Sequence, residues 1–278
     1  MTWHASEPPP WPAIKPRAWP RILVRLTALS GIMAFGLLLH LLLRLVERPF
    51  FGLRRPLTPG VTQIVCRAVL KVMGLRVQTT GTPLRARGAL VANHASWLDI
   101  FVLNAAVRVY FVSKEEVARW PGIGFLARTT GTIFIRRDRK EAAQQTQVLE
   151  DRLRAGHRLL FFPEGTSSDS LRVLPFKSTL FAAFYAQGLR DFMQVQPVTL
   201  VYRAPGGADP RALAWWGDME FAGHLLRVLA MPYAGQVTLI LHAPLRISDL
   251  PDRKAMALAC ETAVRAGMAD PSARPENR

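Results

Sequence analysis

Short apolar runs alternate with helix-like patterns along the chain from residue 75 onward. The runs are typical of buried strands, and between them the apolar residues recur at helical spacing. The predicted strands are Leu75–Thr79, Ala89–Ala92, Val109–Val112, Thr132–Ile135, Arg158–Phe161, Val195–Tyr202 and Val237–His242. The predicted helices are Trp97–Ala106, Lys114–Arg119, Ile123–Thr129, Glu141–Arg154, Lys177–Gln187, Ala222–Leu229 and Arg253–Gly267. Strands that alternate with helices predict an α/β fold with a mainly parallel sheet flanked by helices.

A long uncharged segment precedes this region. Leu26–Leu43 carries no formal charge, and its 18 residues would span about 27 Å as a helix, close to the ~30 Å hydrocarbon core of a bilayer. Arg44, Glu47 and Arg48 follow directly, and no small-residue cleavage site does, which argues against a signal peptide. The pattern favours a membrane segment, with a buried core helix as the alternative.

A second, amphipathic helix is predicted after this segment. Thr58 is its expected N-cap, Pro59 its first helical residue and Gly74 its end. The helix is either interfacial or packed on the core. Basic residues flank Leu26–Leu43 on both sides, so the positive-inside rule keeps both flanks cytoplasmic. A segment that dips into one leaflet and returns fits this charge pattern better than a full span.

Three regions follow from these patterns. Residues 1–20 are rich in proline and tryptophan and are predicted to be a disordered tail. Residues 21–74 form two membrane-associated helices, and residues 75–270 form the α/β domain.

The charge balance narrows the class of partner. Thirty-six basic residues against 20 acidic ones give a formal net charge of +16. This excess suits a membrane surface with anionic lipids or a phosphorylated substrate, and the lack of a nucleic-acid-binding signature disfavours nucleic acid. Cys66 and Cys260 have no paired spacing, which suits a reducing compartment.

Three polar side chains follow predicted strands at the point where each strand ends. His94 follows Ala89–Ala92, Arg136 follows Thr132–Ile135 and Glu164 follows Arg158–Phe161. Open α/β sheets bind ligands at the edge formed by the carboxyl ends of their strands. The sequence therefore predicts one pocket that contains all three side chains.

His94 and Asp99 are separated by four residues, a spacing that suits a proton-transfer pair. A carboxylate that bonds one ring nitrogen of a histidine leaves the other nitrogen free to act as a base. The alternative is structural, with Ser96 capping the helix that begins at Trp97 and Asp99 bonding back to the cap. Ser96 is disfavoured as a nucleophile because no Gly-x-Ser-x-Gly elbow surrounds it. No metal site is expected, because no further histidine or cysteine has ligand-like spacing.

Four segments together resemble the glycerolipid acyltransferase family, whose best-known members acylate lysophosphatidic acid. They are Asn93–Asp99, Gly131–Arg137, Phe162–Ser167 and Val195–Val198. The resemblance implies that residues 75–270 are an acyltransferase domain. It also implies transfer of an acyl chain from acyl-CoA or acyl carrier protein to a lipid hydroxyl, with no other cofactor.

The resemblance assigns expected roles to the motif residues. His94 would act as the base and Asp99 would orient it. Arg136, and with less support Arg137, would contact the acceptor phosphate, since a guanidinium binds phosphate bidentately. Glu164 would accept a hydrogen bond from the acceptor or hold Arg136 in place.

Three further residues complete the expected site. Gly165 would let the backbone approach the substrate closely, and nearby N–H groups would stabilise the oxyanion. Thr166 belongs to the same substrate-binding motif. Lys114 matches a lysine often found in the family and would bind phosphate.

The expected acceptor is 1-acyl-sn-glycerol-3-phosphate, and the product is phosphatidic acid. The segment Trp216–Glu220, followed by His224, is similar to a stretch of alphaproteobacterial members, a group that includes lyso-ornithine lipid acyltransferases. Acylation of lyso-ornithine lipid is therefore the enzymatic alternative, and a non-catalytic membrane lipid-binding protein is the other. The expected location is the cytoplasmic side of the inner membrane.

Overall fold

The computed structural model describes residues 3–4, 7–9, 11, 13–136, 142–185, 189–190 and 193–270. Its helices are α1 (Trp19–Phe51), α2 (Thr58–Met73), α3 (Leu98–Ala106), α4 (Glu115–Ala118), α5 (Ile123–Thr130), α6 (Ala142–Arg154), α7 (Phe221–Ala230) and α8 (Arg253–Ala269). Its strands are β1 (Leu75–Gly81), β2 (Gly88–Ala92), β3 (Tyr110–Lys114), β4 (Ile133–Ile135), β5 (Leu159–Phe161), β6 (Gln194–Arg203), β7 (Gly235–Leu241) and β8 (Leu245–Arg246). The predicted α/β class is confirmed, and each predicted strand is present with its ends displaced by at most two residues.

The strands form one mixed sheet in the order β1–β7–β6–β2–β5–β3–β4, with β8 paired to β6. The five strands from β6 to β4 run parallel to one another, whereas β7 is antiparallel to β6 and parallel to β1. The carboxyl ends of β2, β5, β3 and β4 therefore meet at one edge of the sheet. The predicted site residues lie at this edge.

Both faces of the sheet are covered by apolar layers. In β2, Leu90 and Ala92 pack into a core that includes residues of α2, α3 and α7, while Ala89 and Val91 pack into a second core with residues of α8. A strand that is buried on both faces has no polar positions, which explains the continuous apolar run in the sequence.

The helix α1 is a single element of 33 residues that extends beyond the predicted segment at both ends. Together with the 3-10 turn Pro16–Ala18, α1 is long and apolar enough to cross a membrane. Only 11% of its most apolar 18-residue stretch is buried in the protein. This exposure contradicts the alternative of a buried core helix. Its exposed large apolar side chains are Trp19, Leu23, Val24, Leu26, Phe35, Leu38, Leu39, Leu41, Leu42, Leu45, Val46, Phe50 and Phe51.

Two local predictions differ from the structure. Thr58 is the first residue of α2 rather than its N-cap, and the carboxylate of Glu47 accepts hydrogen bonds from the backbone N–H groups of Leu57 (2.5 Å) and Thr58 (3.0 Å). A side chain from α1 thus replaces the local cap. The helix predicted at Lys177–Gln187 is a 3-10 helix at Ser178–Tyr185.

Candidate active site

His94 lies in the loop between β2 and α3, and its ring faces Asp99 in the first turn of α3. His94 Nδ1 and Asp99 Oδ2 are 2.7 Å apart. The Asp99 side chain is fully buried, whereas 21% of the His94 side chain is exposed. The dyad therefore has a buried carboxylate and an imidazole that substrate can reach.

Four donors surround the Asp99 carboxylate. Oδ2 accepts from the backbone N–H groups of Ala95 (2.8 Å) and Ser96 (3.1 Å) as well as from His94, and Oδ1 accepts from the Tyr202 hydroxyl (2.6 Å). Since the carboxylate accepts every bond, His94 Nδ1 carries a proton and Nε2 carries the lone pair. The capping and orienting roles foreseen for Asp99 thus coexist in one side chain.

The beginning of α3 differs slightly from the prediction. The helix starts at Leu98, and the Ser96 hydroxyl oxygen accepts a hydrogen bond from the Leu98 N–H at 3.3 Å. Ser96 is fully buried. A buried hydroxyl in a local turn suits a structural residue rather than a nucleophile.

Tyr202 is a site residue that the sequence pattern does not reveal. It lies on β6, 103 residues from Asp99, and it is buried. Burial, followed by the nearby Asp99 charge, raises the pKa of its hydroxyl well above the usual range. Tyr202 therefore stays protonated and donates to Asp99. Its position at the end of an apolar strand carries no chemical signal.

Glu164 connects the Phe162–Ser167 motif to the dyad. Its Oε1 accepts a hydrogen bond from the His94 backbone N–H at 3.2 Å, and the neighbouring Ser168 N–H donates to the His94 carbonyl at 2.9 Å. Burial raises the pKa of the Glu164 carboxyl well above its usual range, against the opposing effect of nearby backbone N–H groups. Its Oε2 is buried without a hydrogen-bond partner among the described residues. A buried polar atom of this kind is suited to a group that the substrate brings.

Gly165 and Thr166 form the turn that follows Glu164. Gly165 has φ of 71°, in the left-handed region that glycine tolerates, and its N–H donates to the Phe162 carbonyl at 3.0 Å. This N–H is therefore engaged in the turn, and stabilisation of the oxyanion by N–H groups near Gly165 stays a prediction for its neighbours. The Thr166 hydroxyl accepts a hydrogen bond from the Trp3 N–H at 3.3 Å.

Lys114 and Arg136 lie farther along the same edge. Lys114 ends β3 and Arg136 follows β4, so Arg136 is three strand spacings from β2, or about 14 Å at ~4.8 Å per strand. The Arg136 guanidinium forms a two-point ion pair with Glu115, through Nε to Oε2 and through Nη2 to Oε1, the latter at 2.6 Å. Arg137 lies outside the described residues.

An apolar cavity of about 280 Å³ lies near the dyad and is separated from the His94 ring by Phe162 and Phe111. The His94 ring stacks on Phe162 with 4.0 Å between centroids, and Phe162 stacks on Phe111 at 6.1 Å. Phe111 lines the cavity, which extends between α1, α2, α3 and α5. Other residues that line it are Met33, Gly36, Leu37, Val61, Val65, Trp97, Ile100, Phe101, Leu126 and Phe221. The volume and apolar lining suit an alkyl chain.

A partly exposed histidine paired with a buried carboxylate, near an alkyl-sized cavity, is an arrangement that suits an enzyme acting on acyl groups. The family model described as Acyltransferase matches residues 75–201, which include the catalytic loop and all predicted site residues. The chain belongs to this acyltransferase family, as its curated relatives also show.

Three of those relatives are named for two different acceptors. The chain is 55% identical to the lyso-ornithine lipid O-acyltransferase of Rhodobacter capsulatus over 96% of both chains. It is 34% identical to the protein of the same name from Pseudomonas aeruginosa, over 93% of this chain and 97% of that protein. It is 31% identical to the 1-acyl-sn-glycerol-3-phosphate acyltransferase of Neisseria meningitidis, over 73% of this chain and 79% of that protein.

One solved structure shares the fold. The crystal structure of the 1-acyl-sn-glycerophosphate acyltransferase PlsC from Thermotoga maritima matches with a TM-score of 0.64 over 94% of this chain and 100% of that chain. The sequence identity is 21%. The likeness therefore extends through the N-terminal helices as well as the sheet.

Proposed function

We propose that this acyltransferase transfers an acyl chain to the hydroxyl of lyso-ornithine lipid. The observation that carries the proposal is the 55% identity, over 96% of both chains, with the Rhodobacter capsulatus protein of that name. The motifs had favoured 1-acyl-sn-glycerol-3-phosphate, and the relatives named for that acceptor are more distant. The comparison thus supports the alternative acceptor over the one first expected.

The ion pair of Arg136 supports the same acceptor. A phosphate dianion gains most from a cation whose charge is not already offset. Glu115 holds the Arg136 guanidinium at two points, and the hydrogen bond from Arg136 lowers the pKa of the Glu115 carboxyl, which keeps it ionised. Lyso-ornithine lipid has no phosphate and does not require this arginine to be available.

The chemistry follows from the dyad. His94 Nε2 removes the proton from the acceptor hydroxyl, and the resulting oxygen attacks the carbonyl carbon of the acyl thioester. The tetrahedral intermediate collapses as the C–S bond breaks, and His94 returns the proton to the departing thiolate. Asp99 holds Nδ1–H throughout and stabilises the imidazolium. The products are the ester and the free thiol of CoA or acyl carrier protein.

A cysteine-bound acyl intermediate has no support from the site. Burial raises the pKa of both Cys66 and Cys260 to about 12. Both thiols therefore stay protonated and weakly nucleophilic at neutral pH. We assign the apolar cavity to the acyl chain, because Phe111 lines it and is joined to the His94 ring by stacking through Phe162.

We further propose that α1 lies in one leaflet on the cytoplasmic side of the inner membrane. Near one end of the helix, Arg21 and Arg25 donate to backbone carbonyls of residues 229–232. Near the other end, His40 Nε2 lies 3.0 Å from the Thr129 carbonyl oxygen. Both ends of the apolar stretch thus contact the same domain, whereas a spanning helix would carry one end to the opposite side.

The acceptor assay tests the proposed function. Purified protein is given an acyl donor and either lyso-ornithine lipid or 1-acyl-sn-glycerol-3-phosphate, and kcat/KM is measured for each. We expect at least a tenfold preference for lyso-ornithine lipid. An equal preference, or a preference for the phosphorylated acceptor, would contradict the assignment and leave the dyad chemistry in place.

A further inference from the structure

Two parts of the chain meet beside the active site and have no role in the chemistry above. One consists of Trp3, His4 and Trp11, which are called the N-terminal residues below. The other is the Trp216–His224 stretch. The rings of Trp3 and Trp216 lie 6.3 Å apart, His4 Nδ1 lies 3.6 Å from Asp218 Oδ2, and Trp11 meets His224 edge-on at 5.8 Å. These contacts hold the N-terminal residues against the stretch.

The combined surface is attached to the catalytic loop. The Trp215 N–H donates to the Ala95 carbonyl at 2.8 Å, and the Trp97 indole N–H donates to His224 Nδ1 at 2.9 Å. The Trp3 N–H reaches the Thr166 hydroxyl. The surface therefore contacts both motif loops that hold the dyad, so an acceptor headgroup on it would be kept close to His94.

A positioned arginine lies on this surface. Arg172 contacts Asp169 at two points, with Nε 3.2 Å from Oδ1 and Nη2 3.0 Å from Oδ2. Asp169 is buried, and the Arg172 guanidinium lies over the Trp3 ring at 5.4 Å from its centroid. About half of the Arg172 side chain (51%) is exposed. A guanidinium has five N–H donors, so this pairing leaves donor capacity on the exposed side.

We propose that Arg172 and Trp3, whose ring packs on the buried Trp216, form the acceptor headgroup subsite and bind a headgroup carboxylate. The proposal rests on the proposed function. Ornithine that is acylated on its α-amine presents one carboxylate and one terminal ammonium, with no net charge. Two ion pairs at this surface have the same balance, since Arg172–Asp169 and Arg211–Asp209 each join one cation to one anion. Arg211 also donates to the Glu7 carbonyl at 3.0 Å, which places its pair beside the N-terminal residues.

This balance explains how the subsite selects a zwitterion. Asp169 offsets the attraction that Arg172 would have for a phosphate dianion, but it leaves a planar guanidinium edge for one carboxylate. Trp3 covers one face of the guanidinium and shields that face from water. This shielding strengthens the hydrogen bonds between the guanidinium edge and the headgroup carboxylate. The proposal thus gives the N-terminal residues a function in acceptor specificity.

The test compares free lyso-ornithine lipid with its methyl ester, in which the carboxylate is neutral. For the wild-type protein we expect KM to be at least tenfold higher for the ester. Arg172→Gln should raise KM for the free acid about tenfold, leave KM for the ester unchanged and leave the acyl-donor KM unchanged. Trp3→Ala should raise KM for the free acid by roughly two- to fivefold, because it removes the cation–π contact but leaves the Arg172 guanidinium in place.

Arg190→Gln is the matched control, because the Arg190 guanidinium also lies over an aromatic ring, that of Tyr185, at 5.9 Å. This variant should behave as wild type.

If Arg172→Gln raised KM equally for acid and ester, or if the wild-type protein did not distinguish them, the subsite would be refuted while acylation of lyso-ornithine lipid stood. If the wild-type protein acylated neither lipid, the proposed function would fail as well. Should Arg172→Gln not fold, Trp3→Ala decides alone, since an unchanged KM would contradict the proposal.

Discussion

At the scale of single residues, the site is organised around one buried carboxylate. Asp99 accepts from His94, Tyr202 and two backbone N–H groups. Residue spacing left both a proton-transfer pair and a structural role for Asp99 open, and the resemblance to the acyltransferase motifs favoured the pair. The contact itself is local, because His94 and Asp99 lie within one loop and one helical turn. Tyr202 was not predictable in this way, because it reaches the carboxylate through the sheet from a distant strand.

Tyr202→Phe removes one donor from Asp99 and keeps the ring. We expect a loss of roughly 1.5–3 kcal/mol in unfolding free energy, since the lost hydrogen bond is to a charged group. The carboxylate that has lost a donor should also attract the imidazolium more strongly. The acidic limb of kcat/KM should therefore move to higher pH. If Tyr202→Phe lowered the thermal midpoint but left the acidic limb of the kcat/KM profile unchanged, Tyr202 would support only the fold.

His224 gives a prediction for stability against pH. Burial lowers its pKa to about 4, and its Nδ1 accepts from the Trp97 indole, so it is neutral in the folded protein. In the unfolded state this histidine has its ordinary pKa of about 6.5 and binds a proton below that pH, whereas in the folded state it does not. The free energy of unfolding should therefore fall as the pH drops from about 6.5 to about 4. The full loss is about 3 kcal/mol. Denaturant unfolding of wild type and His224→Gln at several pH values measures this loss. If the unfolding free energies of the two proteins changed with pH in parallel, His224 would not be its source.

At the scale of elements, periodicity predicted the strands well, because strands buried on both faces are continuous apolar runs. It could not predict that β7 is antiparallel to β6, since direction depends on the connection rather than on the strand itself. It also placed the N-cap of α2 on Thr58, whereas the cap comes from Glu47, a residue of α1. Local sequence rules do not include side chains from other elements.

Glu47→Gln tests this cap between elements. The Glu47 side chain is fully buried and accepts from two backbone N–H groups and the Thr58 hydroxyl. The amide loses the charge and one acceptor, so we expect a loss of roughly 1.5–3 kcal/mol in unfolding free energy. Glu116→Gln, at an exposed position in α4, is the control and should change stability by less than about 0.5 kcal/mol. Equal effects of both changes would contradict the capping role.

At the scale of the whole molecule, charge and hydropathy predicted a membrane-associated N-terminus, and the contacts of α1 add how it sits on the domain. Composition could not show that Trp3 and Trp11 contact the site, because residues 1–20 resemble a disordered tail when taken alone. Their contacts are all with residues more than 150 positions away. Only the fold brings these partners together.

Cysteine labelling tests the leaflet model in a variant that lacks Cys66 and Cys260. Single cysteines replace Lys15 and Arg54, which flank α1, and Arg154, which marks the side of the catalytic domain. We expect a membrane-impermeant maleimide to label all three in inside-out vesicles and none in right-side-out vesicles. Labelling of Lys15→Cys and Arg54→Cys from opposite faces would show that α1 spans the membrane.

The central claim is that His94 is the base that activates the acceptor hydroxyl. Steady-state acylation of lyso-ornithine lipid by His94→Ala tests it most directly. Asp99 keeps three donors in this variant, so the fold and the acyl-donor affinity should be retained, as thermal unfolding and donor binding would show. We predict that kcat falls by about 10²–10⁴-fold, the usual contribution of a positioned general base. A folded His94→Ala protein with turnover close to that of wild type would contradict the account.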